Sequence, residues 1–263
     1  MKDHLLKNPS FHYYNSHQNN KRIIICIHGY GQRAEIFKIL SNQLSQYAIL
    51  SIDLPFHGSN NSNNNIHLLW RDLKVYLEGN DFDEINLLGY SIGSRLATFF
   101  YSQAPQLFQE IYLIAPDGIA KNPLFPVVTH TFVAPIFRFA MSKQKVIHNA
   151  LELLANFRLI KQNLFQFASK SLGSPQESEK VANTWIALRD TQLKNKKLLT
   201  ILLQHNTKLY LLVGQKDKII TVRKVSSVAR KLPKGQTIYF DANHYQVLIE
   251  SIQWITEKKT SQK

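Results

Sequence analysis

Three residue types that together can make a serine reactive stand at separate points of the chain. Ser91 lies in Gly89-Tyr90-Ser91-Ile92-Gly93, Asp217 in Gly214-Gln215-Lys216-Asp217, and His244 in Asp241-Ala242-Asn243-His244-Tyr245. A serine hydroxyl is a weak nucleophile at neutral pH and needs an adjacent base, commonly a histidine oriented by a carboxylate. In the order Ser91, Asp217, His244, the serine would attack and His244 would carry its proton to the leaving group. Asp217 would fix the histidine tautomer and stabilise its imidazolium. Asp117, in Pro116-Asp117-Gly118, is a rival for the acid, and Asp241 is another that reads better as a turn residue. Each also has a plainer reading: Asp217 as the cap of the next turn, His244 as a loop histidine packed by Tyr245, and Pro-Asp-Gly as an ordinary turn.

An acyl tetrahedral intermediate needs two hydrogen-bond donors for its oxyanion. The Ile92 N–H, at the start of a helix, supplies one. The second is assigned to the Tyr30 N–H, in His28-Gly29-Tyr30-Gly31. His28 and His57 read as braces of their loops rather than reacting groups, with Asp53 and Pro55 shaping the second loop.

The elements that must position these residues follow from hydrophobic spacing. The run Ile85-Asn86-Leu87-Leu88 reads as a buried strand, and Ile92, Leu96, Phe99 and Phe100 are spaced as a helix face. A strand passing straight into a helix needs a sharp turn that lifts Ser91 above the sheet edge. Gly89 and Gly93 suit that turn because a Cβ at either position would collide as strand and helix close up. Further strands are expected at 11–14 (an edge), 23–27, 48–52, 110–114, 208–213 and 237–240. Helices are expected over 34–47, from 66 to 77, around 225–232, and from 247 to 255. Residues 60–65 form an asparagine-rich loop, and from about 119 to 205 only helical patterns occur. Strands alternating with helices make a mostly parallel α/β sheet whose ligands bind beyond the carboxyl ends of the strands. Every motif above sits at such an end.

The chain of 263 residues, 44% hydrophobic and 19% charged, suits one sizeable domain with an inserted subdomain. The division expected is a core of 1–118 and 206–263, and a helical lid of 119–205. The N-terminus lacks the apolar stretch of a secretory signal, and no segment approaches the ~20 apolar residues of a membrane span. Cys26, the single cysteine, reads as a small buried hydrophobe on a central strand. A cytoplasmic protein is therefore expected. The histidines show no paired ligand spacing, so neither metal nor cofactor is expected. The net charge of +14 suits attraction to anionic partners, whether acidic substrates, lipid head groups or nucleic acid. No nucleic-acid-binding module accompanies it and a plain basic surface is the favoured reading, so the partner expected is a small-molecule substrate, anionic ones included, and not nucleic acid. Between 121 and 205 there are twelve Lys/Arg and four Asp/Glu, so an excess of eight positive charges falls in the insert.

The motifs His28-Gly29-Tyr30-Gly31, Asp53-Leu54-Pro55-Phe56-His57-Gly58, Gly89 to Gly93, Gly214-Gln215-Lys216-Asp217 and Asn243-His244 together resemble the α/β-hydrolase family. The likeness runs from about 22 to 258 and points to its lidded branch of esterases and carbon–carbon bond hydrolases. It implies a serine hydrolase acting on a small or medium carboxylic ester. The alternatives are carbon–carbon bond hydrolysis of keto acids on the same three residues, or a ligand-binding member without turnover. The lid aromatics Phe132, Phe137, Phe139, Phe157, Phe165, Phe167 and Trp185 are candidates to line an apolar acyl pocket. The sequence departs from the family at Phe56 and Asn243, where Gly is usual, and at Asn60, where Ser is usual. The segment before Ile23 is short for two leading strands.

Overall fold

The computed structural model describes residues 8–14, 20–60, 65–119, 122–143, 149, 152, 153 and 172–261. They fall into two compact units, Met1–Lys121 with Thr191–Lys263, and Asn122–Asp190. The first unit is built on strands β1 (Phe11–Tyr14), β2 (Arg22–Ile27), β3 (Ala48–Ile52), β4 (Glu84–Tyr90), β5 (Glu110–Ile114), β6 (Lys208–Gly214) and β7 (Thr237–Phe240). They form one sheet in the order β1-β3-β2-β4-β5-β6-β7. Only β1 runs antiparallel, on β3; all other neighbours are parallel. This is the mostly parallel, helix-flanked α/β sheet expected, and among the described residues one strand, β1, precedes β2. Ile23 to Ile27 are fully buried, as a β-branched run covered on both faces must be.

Among the described residues the helices are, in chain order, α1 (Lys38–Gln43), α2 (Ile66–Glu78), α3 (Gly93–Gln103), α4 (Leu124–Val128), α5 (Ala134–Met141), α6 (Pro175–Ala187), α7 (Asn195–His205), α8 (Val222–Ala229) and α9 (Gln246–Thr260). Of these, α4 to α6 belong to the second unit. The spacing over 34–47 predicts one helix. Instead a 3-10 turn, Ala34–Phe37, precedes a short α1. The cause is local: the Ala34 N–H donates to the buried Asp53 carboxylate, and its carbonyl accepts from Ser51 Oγ, at 2.8 Å each. In α2, Asn65 caps the first turn by accepting from the His67 N–H, and Ile66, Leu69, Leu73 and Leu77 face the core.

The second unit begins at 122 and ends at 190, whereas 119–205 was the expected insert. The difference is α7, which buries Leu198 and Leu202 and packs on α3 of the first unit. Within the second unit, Met141 of α5 packs on Ala182 of α6, with Phe137, Leu172 and Val181 around them. Ser174 Oγ accepts from the Glu177 N–H and Pro175 occupies the first turn, the usual start of such a helix. No helix among the described residues is long and apolar enough to cross a membrane.

At the amino ends of β4 and β5 the first unit buries an ion network. Lys259, at the end of α9, reaches both Glu84 (2.5 Å) and Glu110 (2.7 Å), and Lys258 lies 2.9 Å from Glu110. The Tyr112 hydroxyl donates to Glu110 and the Tyr47 hydroxyl to Glu84. Burial alone would raise the Glu110 carboxyl, but bonds from Lys259, Tyr112 and Lys258 outweigh it and hold the group at about 2. A folded-state value below the unfolded one means that stability is present above the unfolded pKa and is lost as pH falls. Stability in equilibrium unfolding should therefore fall as pH drops from about 4.5 towards about 2. Glu110→Gln should lie lower at neutral pH, by about 3–5 kcal/mol because a buried partner is removed, and should fall less steeply across that window. An equally steep fall in the variant would place the acid-sensitive group elsewhere.

Candidate active site

Ser91 follows the last residue of β4 in left-handed backbone, at φ 51°. For a residue with a Cβ this costs about 1–2 kcal/mol. Its N–H donates to Ile114 O (2.9 Å), while its own carbonyl accepts from the N–H groups of Asp117 and Ser94 (3.1 Å each). The end of β5 therefore grips the strained residue on both sides. The two motif glycines permit the tightness. A Cβ on Gly89 would stand 2.7 Å from Ser94 Cα, and one on Gly93 would stand 2.3 Å from His28 O. The second contact also sets the His28 loop directly against the turn.

His244 completes the constellation. Its Nδ1 lies 2.7 Å from Asp217 Oδ2 and its Nε2 3.1 Å from Ser91 Oγ. Asp217 and His244 are buried, and Ser91 is half-buried. The other oxygen of Asp217 accepts from the N–H groups of Ile219 and Ile220. Asp217 thus caps the next turn and bonds the histidine at the same time. The rivals are engaged elsewhere: Asp117 forms a two-pronged pair with the buried Arg95 (2.8 and 3.0 Å), and Asp241 pairs with Lys216 at the surface.

Two further features hold His244. The Tyr90 hydroxyl donates to the His244 carbonyl at 2.8 Å, and its ring lies 5.4 Å from the imidazole. Burial pushes the Tyr90 phenol up, so it stays a donor. Asn243 is not left-handed, although Gly is the residue expected there. Its side chain accepts from the N–H groups of Tyr245 and Gln246, while Gln246 Oε1 accepts from the Asn243 N–H. That reciprocal cap starts α9, a use of Asn that tolerance of left-handed backbone does not anticipate.

The loops after β2 and β3 are bound together by histidines. His57 accepts the Gly31 N–H on Nε2 (3.0 Å) and donates from Nδ1 to Pro55 O (3.0 Å). Its ring meets Tyr30 edge-on at 5.2 Å. His28 accepts the Leu54 N–H on Nε2 and donates from Nδ1 to Gly29 O. Between the loops, Asp53 is fully buried. Burial would raise its carboxyl, but the neighbouring His28 imidazole and the N–H groups of Ser59 and Ala34, which donate to it, outweigh that and hold it well below the usual range. Asn60, in place of the usual Ser, donates to Asp53 O, and Phe56, in place of Gly, is left-handed at φ 65°. Ile92, whose N–H makes no hydrogen bond among the described residues, and Tyr30 thus both stand at the carboxyl ends of adjacent strands.

Sequence reasoning missed Tyr90 and Arg95. The signals were an aromatic inside the glycine motif and an arginine among apolar positions of α3. The lid aromatics divide. Phe137 and Trp185 pack inside the second unit, at 6.2 Å, with Phe125 5.4 Å from Trp185. Phe132 and Phe139 are exposed. Phe157, Phe165 and Phe167 lie outside the described residues.

Residues 22–251 match the family described as alpha/beta hydrolase fold. An uncharacterized hydrolase, YugF, of Bacillus subtilis is 24% identical over 236 residues, covering 85% of this chain and 83% of its own. An esterase from Exiguobacterium antarcticum superposes with a TM-score of 0.58 at 16% identity, over 95% of this chain and 93% of that one. The meta-cleavage product hydrolase of Pseudomonas fluorescens superposes with a TM-score of 0.58 at 14% identity, over 96% and 94%.

The two aspartates should separate in kinetics and stability. Asp217→Asn should lower kcat by a factor on the order of 10⁴ while leaving the melt near wild type. Asp117→Asn removes the carboxylate that pairs with the buried Arg95 and should lower stability by about 3 kcal/mol with a far smaller loss of kcat. The reverse ranking would place the acid after β5 instead of β6.

Proposed function

The chain belongs to the α/β-hydrolase fold family, and on that premise we propose that it is a serine-dependent hydrolase working through an acyl-enzyme. The substrate that fits best is a small or medium carboxylic ester. One observation carries the reading: the unbroken hydrogen-bonded chain from Asp217 through His244 to Ser91. On this reading Nδ1–H of His244 donates to Asp217, leaving Nε2 to take the Ser91 proton as Oγ attacks the ester carbonyl. The oxyanion is received by the N–H groups of Ile92 and Tyr30, the latter held by the His57 brace on Gly31. The proton on Nε2 then passes to the leaving alcohol, and a water retraces the path to free the acid. Arg95, Asp117 and Tyr90 act at one remove, holding the turn and the imidazole.

Hydrolysis of a carbon–carbon bond in keto acids is a second reading. It is favoured by the likeness to the meta-cleavage product hydrolase, and the same three residues would serve. The inserted unit is proposed to act as a substrate-selecting lid, and its positive excess is proposed to favour anionic substrates. Protein confined to the cytoplasm is part of the same proposal.

A series of p-nitrophenyl esters, one pair differing only by a carboxylate on the acyl chain, tests these points beside a vinylogous keto acid. Short and medium esters should turn over, and Ser91→Ala should lower kcat by a factor of about 10⁴ or more. Turnover of the carboxylate-bearing ester should fall between low and high salt as the Debye length shrinks from about 10 Å to about 3 Å, while its neutral partner changes little. Turnover of the keto acid alone would move the assignment to carbon–carbon hydrolysis. Turnover retained in Ser91→Ala would remove the serine mechanism.

A further inference from the structure

Helix α5 is apolar on two sides. Its inner side, Ala134, Phe137 and Met141, packs within the second unit. On its outer side Phe132, Ile136 and Phe139 follow at i, i+4 and i+7, and remain 82%, 68% and 65% exposed. Helical hydrogen bonds begin one turn before α5, at His130 O, so Phe132 belongs to this stripe. Lys143 continues the same row at i+11, its ammonium 5.2 Å from the centre of the Phe139 ring. Arg138 is exposed on the flank of the same helix, and α4 has the exposed Leu124 and Val127. No Asp or Glu occurs anywhere between Asp117 and Glu152.

From this we infer that the outer face of α5 docks on an anionic lipid bilayer, lying in the plane of the interface. The composition is what such a helix needs: large apolar side chains to enter the acyl boundary, and cations beside them to meet lipid phosphates. The complete lack of acid over that stretch removes the repulsion that an anionic surface would otherwise meet. A second copy of this chain is a poorer occupant, because a symmetric stripe-on-stripe contact would set Arg138 and Lys143 against their own kind. Single exposed apolar residues need no explanation, but an aligned row rimmed by one sign of charge does. The inference stands apart from the chemistry of Ser91, Asp217 and His244, and of the insert's positive excess it uses only Arg138 and Lys143.

The test is flotation of the full-length protein with phosphatidylcholine vesicles, with and without phosphatidylglycerol. Wild type should float with the anionic vesicles and much less with the zwitterionic ones. Phe132→Ser with Phe139→Ser should cut the partition coefficient at least about tenfold. Arg138→Gln with Lys143→Gln should cut it by about fivefold per charge removed and erase the preference for anionic lipid. Leu203→Ser, at an 85% exposed leucine of α7, should float as wild type, and all variants should melt as wild type. Three results would overturn the inference: no flotation of wild type, an equal loss with Leu203→Ser, or self-association in the absence of vesicles that the Phe132/Phe139 pair abolishes. The last would assign the face to a second copy.

Discussion

The arrangement at the strand ends depends on a serine held in a conformation that its backbone does not favour. At φ 51°, Ser91 sits uphill by about 1–2 kcal/mol, and strain of that kind persists only where the surroundings over-determine it. Here they do. Ile114 and Asp117 hold the residue from both sides, and Arg95 holds Asp117 by two bonds. Gly89 and Gly93 let strand, helix and the His28 loop meet without a Cβ between them. Were the turn to relax, Oγ would leave the 3.1 Å contact with His244, and the constellation would lose its first member.

The partner of that serine is positioned from far away. His244 sits just before α9, whose opposite end carries Lys258 and Lys259 into the buried network with Glu110 and Glu84. Those two glutamates begin β5 and β4, the strands whose other ends hold Ser91. Serine and histidine are therefore mounted on one frame, clamped at both ends of the sheet. At the near end, the Tyr90 hydroxyl on the His244 carbonyl and the Asn243–Gln246 cap complete the mounting. A buried charge network is costly to assemble, since each ion must be desolvated. In this unit it fixes the far end of the helix that follows His244.

Much of this was legible in the sequence, for identifiable reasons. Fully buried parallel strands read as unbroken apolar runs, and the topology of such sheets forces chemistry to their carboxyl ends, so Ser91, Asp217 and His244 stood out together. Chain position favoured Asp217 over Asp117, but the pairing of Asp117 with a buried arginine was not legible, because spacing does not say where Arg95 puts its charge. The helix expected over 34–47 failed for a related reason: a carboxylate nineteen positions along the chain, Asp53, captures the N–H of Ala34. Spacing also cannot assign α5, since a helix apolar on both sides gives no sign of which side is packed. Phe137 turned inward and Phe132 and Phe139 outward. Asn243 shows a third limit, in that a departure from a familiar glycine was answered by a side-chain cap rather than by strained backbone.

The central claim is that the frame exists to make one hydroxyl nucleophilic, and the most direct measurement is reaction with a fluorophosphonate followed by peptide mapping. The account predicts a single adduct on Ser91, formed quickly by wild type and slowly in His244→Ala, where the base is gone but the turn is intact. An adduct on another residue, or labelling of Ser91 at the same rate without His244, would contradict it.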